Sequence, residues 1–213
     1  MAKYKAILFD VDGTLLDTKE FVFQAFKHAM KLHYDREITW EDDLTPLMGK
    51  MLDVMFQRLT GENDVDRLIT TYRDFQSKNL HLSNPYKDTK YTLEKLKQSG
   101  FKLAAVSSRS SENVQTTLEL AGIMEYLDVI ITGDIVKNPK PDPEPVRLAL
   151  TRLGVEPEFA VMVGDTDVDI LAGKSAGVST IGVTYGAHGA GIKDFAPDFV
   201  INNISEILPL ILN

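Results

Sequence analysis

Two aspartates separated by a single residue follow a short apolar run near the start of the chain. Asp10 and Asp12 come directly after residues 6–9, and Gly13 and Thr14 complete the sequence Asp-Val-Asp-Gly-Thr. Two carboxylates at this spacing can divide the work of a reaction, because one can attack as a nucleophile while the other moves protons. An Asp-Gly pair is also a common turn. The meaning of this pair therefore depends on what the other strand ends carry.

Polar residues that could complete such a site follow two further apolar runs and occupy one proline-rich turn. They are Ser107, Ser108 and Arg109 after residues 103–106, Lys140 in the sequence Lys-Pro-Asp-Pro, and Asp165 and Asp169 after residues 161–163. Hydroxyls and backbone N–H groups at the start of a helix can bind an anion. Carboxylates with no accompanying His or Cys suit Mg²⁺ rather than zinc. A divalent cation would also let Asp10 and Asp165 lie close together in spite of their repulsion.

The elements that must position these residues alternate along most of the chain. The strand-like runs are 6–9, 103–106, 129–131, 161–163, 180–183 and 199–201, and the helical stretches between them are 89–98, 112–120, 144–153 and 168–176. A glycine shortly after each of these four stretches is typical of a helix end. The alternation predicts an α/β fold, a Rossmann-like parallel sheet with helices on both faces. Ligands of such sheets bind beyond the carboxyl ends of the strands.

One segment interrupts the alternation. Between residues 17 and 82 the pattern is helical, with helices predicted at 20–32, 40–48, 52–59 and 65–78. We interpret it as an inserted all-helical cap domain at 17–83 on a core domain formed by 1–16 and 84–213, with linkers near 15–18 and 83–86. The alternative is that these helices simply cover one face of the sheet.

Composition excludes several classes of protein. The chain has 213 residues, a formal net charge of −8 and no cysteine. The excess of acidic residues argues against nucleic-acid binding, and the absence of cysteine excludes disulfide frameworks and cysteine-ligated metal sites. No apolar run approaches the ~18 residues of a membrane span. We expect a cytoplasmic protein with no nucleic-acid or membrane partner, present as a monomer or a weak homodimer.

The chain resembles the haloacid dehalogenase superfamily. The similarity rests on four stretches in the same order and spacing as the family's motifs, which are Asp10-Val11-Asp12-Gly13-Thr14, Ser107, Lys140-Pro141-Asp142-Pro143, and Gly164-Asp165 with Asp169. The helical insert is similar to the cap domain of the phosphoglycolate phosphatase-like branch. Gly49-Lys50-Met51-Leu52 resembles the cap loop that reaches into the site in that branch. Many relatives carry Thr-Asn at the second motif, where this chain has Ser107-Ser108-Arg109.

The resemblance implies an aspartyl-phosphate mechanism. Asp10 would attack the phosphoryl group, and Asp12 would protonate the leaving group and later deprotonate the hydrolytic water. Mg²⁺ would be held by the Asp10 carboxylate, the Asp12 backbone carbonyl and Asp165. Asp169 would orient water or Lys140 from nearby.

The resemblance also implies how the substrate is held. Ser107 and Lys140 would bind the phosphoryl oxygens and stabilise the charge that develops on them. The other predicted phosphate- or substrate-binding residues are Gly13, Thr14, Ser108, Arg109 and, in the cap loop, Lys50. The predicted partner is a small phosphorylated metabolite.

Asp12 favours the phosphatase branch, because dehalogenases of this superfamily need neither a metal nor an acid at that position. We therefore expect a Mg²⁺-dependent phosphohydrolase that acts on a phosphoglycolate-like monoester or on pyrophosphate. A sugar-phosphate phosphomutase of the same family is the nearest alternative. A phospho-acceptor module without enzymatic activity is a more distant one, because such modules lack a helical insert after the first strand.

Overall fold

A six-stranded parallel sheet forms the centre of the molecule in the computed structural model, which describes residues 3–212. Its strands lie in the order β5-β4-β1-β6-β7-β8. They are β1 (Ala6–Phe9), β4 (Lys102–Val106), β5 (Val129–Ile131), β6 (Ala160–Gly164), β7 (Ser179–Val183) and β8 (Phe199–Ile201). The central strand β1 pairs with β4 on one side and with β6 on the other, so that Phe9 lies opposite both Ala105 and Val163. The predicted α/β parallel sheet is confirmed.

Helices cover both faces of this sheet. Helices α4 (Thr89–Gln98), α5 (Ser111–Leu120) and α8 (Ile207–Leu212) pack on one face, and α6 (Glu144–Leu153) and α7 (Asp167–Ala176) pack on the other. Alternate strand residues point to opposite faces. In β1, for example, Ile7 belongs to the first apolar cluster and Leu8 to the second. The sheet core is therefore buried on both sides, which explains why its strands are continuous apolar runs.

The segment between β1 and α4 forms an apolar cluster of its own. Helices α1 (Lys19–Tyr34), α2 (Leu52–Thr60) and α3 (Asp66–Lys78) surround buried aromatic rings. Phe26 packs against Phe56 and Tyr72, with ring centroids 4.6 and 4.8 Å away. We call the residues 19–82 the cap segment. The exact domain limits given above stay a prediction.

The helix predicted at 40–48 is wrong. Trp40–Leu44 is a π-helical turn, and Thr45–Leu47 is a short 3₁₀ turn. Pro46 explains the difference, because it has no N–H to donate to the carbonyl four residues earlier and so interrupts an α-helical ladder. The Thr39 side chain accepts a hydrogen bond from the backbone N–H of Asp42 and so caps the start of this turn.

The two predicted linkers are paired with each other. Strand β2 (Leu16–Asp17) and strand β3 (Asn84–Pro85) form a short antiparallel ribbon where the chain leaves and re-enters the core. Each strand has only two residues, too few to give a strand pattern in the sequence, so this pairing was not predicted. Other boundaries differ from the predicted ones by one or two residues. Within residues 3–212, no helix is long and apolar enough to cross a membrane.

Candidate active site

The sheet brings the predicted catalytic residues to one edge. Because β4, β1 and β6 are neighbours, the residues that follow them share the space beyond their carboxyl ends. Asp10 follows β1, Ser107 follows β4 and Asp165 follows β6. All three side chains are buried.

Lys140 is the centre of a buried polar network. Its Nζ donates to Asp10 Oδ1 at 2.6 Å, to Asp169 Oδ1 at 2.6 Å and to the Val106 carbonyl at 2.9 Å. Asp169 Oδ2 also accepts bonds from the backbone N–H and the hydroxyl of Thr166, at 3.1 and 2.6 Å. Three donors therefore hold Asp169, whose position at the first turn of α7 fixes it relative to the sheet. This geometry suits a residue that positions Lys140.

Asp165 is held from two sides. Its Oδ1 accepts from the Thr14 hydroxyl at 3.3 Å, and its Oδ2 accepts from the Ala187 backbone N–H at 2.7 Å. A β-carbon at either Gly13 or Gly186 would overlap the Asp165 carboxylate, and Gly13 also has a φ of +80°. Only glycine allows the backbone to approach this closely in that conformation.

Burial and crowding set the pKa values of these groups. Burial raises the pKa of Asp10 well above its usual value. The charge of Lys140 opposes this rise, and repulsion from Asp169, Asp165 and Asp12 adds to it. Burial, followed by repulsion from Asp169, raises the pKa of Asp165 to about 7. Burial lowers the pKa of Lys140, but Asp10 and Asp169 together more than reverse this, so it stays protonated. The network therefore contains more negative charge than its single lysine can neutralise.

The same residues fit a divalent cation. Asp10, Asp165 and Asp169 each offer a carboxylate oxygen, and these three oxygens lie within 4.8 Å of one another. With all three ionised and Lys140 protonated, the buried group has a formal charge of 1 − 3 = −2. A buried net charge of this size is costly unless it is compensated. Hard oxygen ligands are those that Mg²⁺ prefers.

A cavity of about 180 Å³ lies between this edge of the sheet and the cap segment. Asp10 and Asp12 line it from the core, together with Ser108, Arg109, Asp134 and Thr166 from neighbouring strand ends. The cap segment contributes Val22, Phe26, Met48, Gly49, Lys50, Met51, Leu52, Met55, Tyr72, Arg73 and Gln76. The nucleophile predicted from the sequence therefore faces a cavity whose opposite wall is formed by the cap segment.

Two residues of the second motif connect with other parts of the site. Arg109 donates to Asp12 Oδ1 at 3.1 Å and also lies over the Phe21 ring. The Ser108 hydroxyl donates to the Gly49 carbonyl at 3.2 Å, which links the core to the cap loop. A β-carbon at Gly49, whose φ is +82°, would overlap Val168 and Thr166.

The other predicted binding residues differ in their position. Lys50 lines the cavity from the cap, as its predicted role requires. Thr14 is fully buried, and with Gly13 it contacts Asp165 rather than the cavity. Ser107 is buried and is not among the residues that line the cavity, and its Oγ accepts from the Arg109 backbone N–H at 3.1 Å. The roles of these residues in binding phosphate stay predictions.

Several polar residues that line the cavity were not predicted, among them Asp134, Tyr72, Arg73 and Gln76. Asp134 follows β5, so the rule used for the other strand ends could have found it. Its Oδ1 accepts from the Ser111 backbone N–H at 3.0 Å at the start of α5. Tyr72, Arg73 and Gln76 lie on α3 of the cap segment. No sequence signal identified them, because their orientation depends on how α3 packs over the core.

The chain belongs to the haloacid dehalogenase-like hydrolase family, whose model matches residues 7–183. It is therefore an enzyme of the hydrolase class, as the resemblance implied. Pyrophosphatase PpaX from Bacillus velezensis is 40% identical over 205 residues, which are 95% of this chain and 94% of that protein. Pyrophosphatase PpaX from Bacillus cereus is 36% identical and covers 99% of this chain and 98% of its own.

A solved structure agrees closely with this fold. The crystal structure of a predicted phosphoglycolate phosphatase from Haemophilus somnus superimposes with a TM-score of 0.91 at 28% identity and covers 99% of each chain. The agreement extends over both the sheet and the cap segment, because almost the whole chain is aligned.

Proposed function

We propose that the protein is a Mg²⁺-dependent phosphohydrolase that works through an aspartyl-phosphate on Asp10. The observation that carries this proposal is the position of Asp10, which lies on the cavity wall and is hydrogen-bonded at 2.6 Å to the buried Lys140. A carboxylate held in this way can attack a phosphoryl group in line, while the lysine stabilises the charge on the phosphoryl oxygens. Ser107, at the neighbouring strand end, would donate to the same oxygens.

The metal would be held by the carboxylates of Asp10 and Asp165 and by the backbone carbonyl of Asp12. When bound, it supplies positive charge to the buried acids and to the phosphoryl oxygens. Asp169 acts on Lys140, because the bond between them is 2.6 Å long. Three donors already occupy the oxygens of Asp169, which agrees with a role in positioning Lys140 instead of binding the metal.

Asp12 acts as the general acid and base. It lines the cavity two residues after Asp10, where it could reach a leaving group bound in the cavity. It protonates the leaving group in the first step and removes a proton from the hydrolytic water in the second. Arg109, which is bonded to Asp12 at 3.1 Å, orients it.

Pyrophosphate is the substrate that the relatives favour, since the relatives named above at 36% and 40% identity are called pyrophosphatases. Two cations of the cap, Lys50 and Arg73, line the cavity. Within residues 3–212, neither of them forms an ion pair. Free cations at this position suit a leaving group that is itself an anion, such as phosphate or the carboxylate of phosphoglycolate.

The test is release of inorganic phosphate from pyrophosphate, phosphoglycolate and a sugar phosphate, each with Mg²⁺ and with excess chelator. We expect Mg²⁺-dependent release, with pyrophosphate the best substrate. An isomerised sugar phosphate without net release would instead indicate a phosphomutase. A phosphorylated protein that does not turn over would indicate a phospho-acceptor. Full activity in excess chelator would contradict the metal site.

A further inference from the structure

A buried polar pair interrupts the apolar interior of the cap segment. Tyr72 and Gln76 lie one turn apart on α3 and are only 7% and 3% exposed. Gln76 Nε2 donates to the Tyr72 hydroxyl at 2.8 Å, while the Tyr72 ring packs against Phe26 and Phe56. Both polar residues line the cavity above Asp10 and Asp12. The helical cluster therefore presents a pair of neutral polar groups to the cavity, in addition to the cations Lys50 and Arg73.

This pair has hydrogen-bonding capacity that the protein does not use. Among the described residues, the Tyr72 hydroxyl accepts one bond but finds no acceptor for its own proton, and the Gln76 carbonyl accepts none. Burial raises the pKa of Tyr72; the charge of Arg109 lowers it and that of Asp12 raises it. Tyr72 is thus a neutral donor near the proposed general acid. Both residues line the cavity, so the unused donor and acceptor are available to a ligand bound there.

Much of the wall around the pair is apolar, although the cations Lys50 and Arg73 also line the cavity. Met48, Met51, Leu52 and Met55 line the cavity from the loop and helix that face α3. Methionine side chains adapt to apolar groups of different shape. Pyrophosphate has neither an apolar surface for these walls nor, when fully ionised, a proton for the Gln76 carbonyl. The chamber thus suits a second kind of leaving group, one with carbon atoms and a hydroxyl.

We propose that the site also hydrolyses phosphate monoesters of small alcohols that carry a second hydroxyl, which hydrogen-bonds to Tyr72 and Gln76. The hydroxyl accepts the proton of Tyr72 and donates its own to the Gln76 carbonyl. The volume of about 180 Å³ limits the alcohol to a few carbon atoms, since it lies below the range of roughly 300–1,000 Å³ that is typical of ligand pockets. This inference rests on the proposed function, because it uses the same nucleophile.

The reaction balances without a further reactant. Asp10 forms a bond to phosphorus as the ester P–O bond breaks, and the leaving oxygen takes a proton from Asp12 to give the diol. Water then attacks the phosphoryl group on Asp10, its proton returns to Asp12, and inorganic phosphate leaves. The hydroxyl bound by Tyr72 and Gln76 is unchanged throughout, so it contributes to selection rather than to bond breaking.

The experiment compares 3-hydroxypropyl phosphate with propyl phosphate, which differ only in the second hydroxyl. With Mg²⁺ present, we expect kcat/KM of the wild-type protein to be about tenfold higher for the hydroxylated ester, which is the ratio that one or two added hydrogen bonds give. Tyr72→Phe and Gln76→Met should each bring this ratio close to one. Tyr34→Phe is the matched control, because Tyr34 lies on α1 of the cap segment, is not among the lining residues and bonds to Arg67.

The outcomes separate this inference from the proposed function. If the wild-type protein hydrolyses pyrophosphate but neither ester, the inference is wrong and the proposed function survives. If no phosphate compound is hydrolysed, the proposed function fails as well. A ratio that stays unchanged in both variants would overturn the role of the pair. Thermal unfolding of each variant identifies one that does not fold, and the other variant then decides.

Discussion

Two regions of the site differ in whether their polar groups have partners. We call the buried network of Asp10, Lys140, Asp165 and Asp169 the sheet edge, and the lining residues Lys50, Tyr72, Arg73 and Gln76 the cap wall. At the sheet edge, Lys140 and the carboxylates of Asp10, Asp165 and Asp169 are buried and bonded to partners at 2.6 to 3.3 Å. At the cap wall, Lys50 and Arg73 form no ion pair with any residue of 3–212, and Tyr72 keeps a donor that no residue of this range accepts. The sheet edge is thus organised before substrate arrives, while the cap wall offers groups that only a ligand can satisfy.

This difference assigns two tasks to two regions. Preorganised charges lower the barrier of a reaction because they need not rearrange when charge develops. Groups without partners instead discriminate between ligands, because a wrong ligand leaves them unpaired. Changes at the sheet edge should therefore affect every substrate equally. Changes at the cap wall should affect substrates differently.

The largest effect is expected for Asp10→Asn. This change removes the attacking anion while it keeps the shape of the side chain, so kcat should fall by about 10⁴-fold or more on every substrate. Phosphate release from pyrophosphate and from p-nitrophenyl phosphate checks this result, and circular dichroism checks the fold. Activity within tenfold of the wild-type protein on either substrate would remove Asp10 from the mechanism.

A somewhat smaller effect is expected for Lys140→Met. The variant leaves Asp10 and Asp169 without their shared cation, so activity should fall by about 10²–10³-fold on all substrates. Unfolding by urea should show a loss of about 3–5 kcal/mol, as is usual when one partner of a buried ion pair is removed. Lys137→Met is the control, because Lys137 is exposed outside the network. Equal losses in both variants would show that the position of Lys140 has no special role.

The sequence was sufficient to predict the sheet edge but not the cap wall. The strand ends could be predicted because each strand is a short apolar run, and parallel strands bring their carboxyl ends together whatever the details of packing. Asp10, Ser107 and Asp165 therefore follow from topology alone. Lys140 lies in a proline-rich turn rather than directly after an apolar run, so topology alone does not place it; the Lys-Pro-Asp-Pro sequence made it a candidate, and the family resemblance gave it a role.

The cap wall depends on quantities that no local pattern encodes. Tyr72 and Gln76 lie on a helix that was predicted, but the face that meets the cavity is set by the angle at which α3 packs over the core. The π-helical turn at Trp40–Leu44 was also not predicted, because Pro46 interrupts the local pattern of backbone hydrogen bonds. The paired linkers at 16–17 and 84–85 are too short to give a strand pattern.

The next prediction concerns pH and metal. The pKa of Asp165 is raised to about 7 from 3.8, so its protonated form is favoured in the folded, metal-free protein. The stability that this preference contributes is present below about pH 4 and is lost as pH rises through about 7. In excess chelator, the melting temperature should therefore fall by several degrees between pH 5.5 and pH 8.

Saturating Mg²⁺ should oppose this fall, because a cation favours the ionised carboxylates. The stabilisation by Mg²⁺ should accordingly be larger at pH 8 than at pH 5.5. Differential scanning fluorimetry at the two pH values gives both quantities, and Asp165→Asn is the control, since it should reduce the dependence on pH and on metal together. A stabilisation by Mg²⁺ that does not change with pH would contradict the assignment of Asp165 as a ligand.

The smallest expected effect belongs to Lys50→Ala. Lys50 follows Gly49 in the cap loop and lines the cavity, and it forms no ion pair with the part of the chain that the structure describes, so its charge is available to an anionic leaving group. Its loss should raise KM for pyrophosphate by about tenfold, the usual size for one charge-assisted hydrogen bond. The effect on p-nitrophenyl phosphate should be smaller, because that leaving group has no second phosphate. Lys78→Ala, at the exposed end of α3, is the control. Equal losses on both substrates would mean that Lys50 acts on cap closure instead of selection.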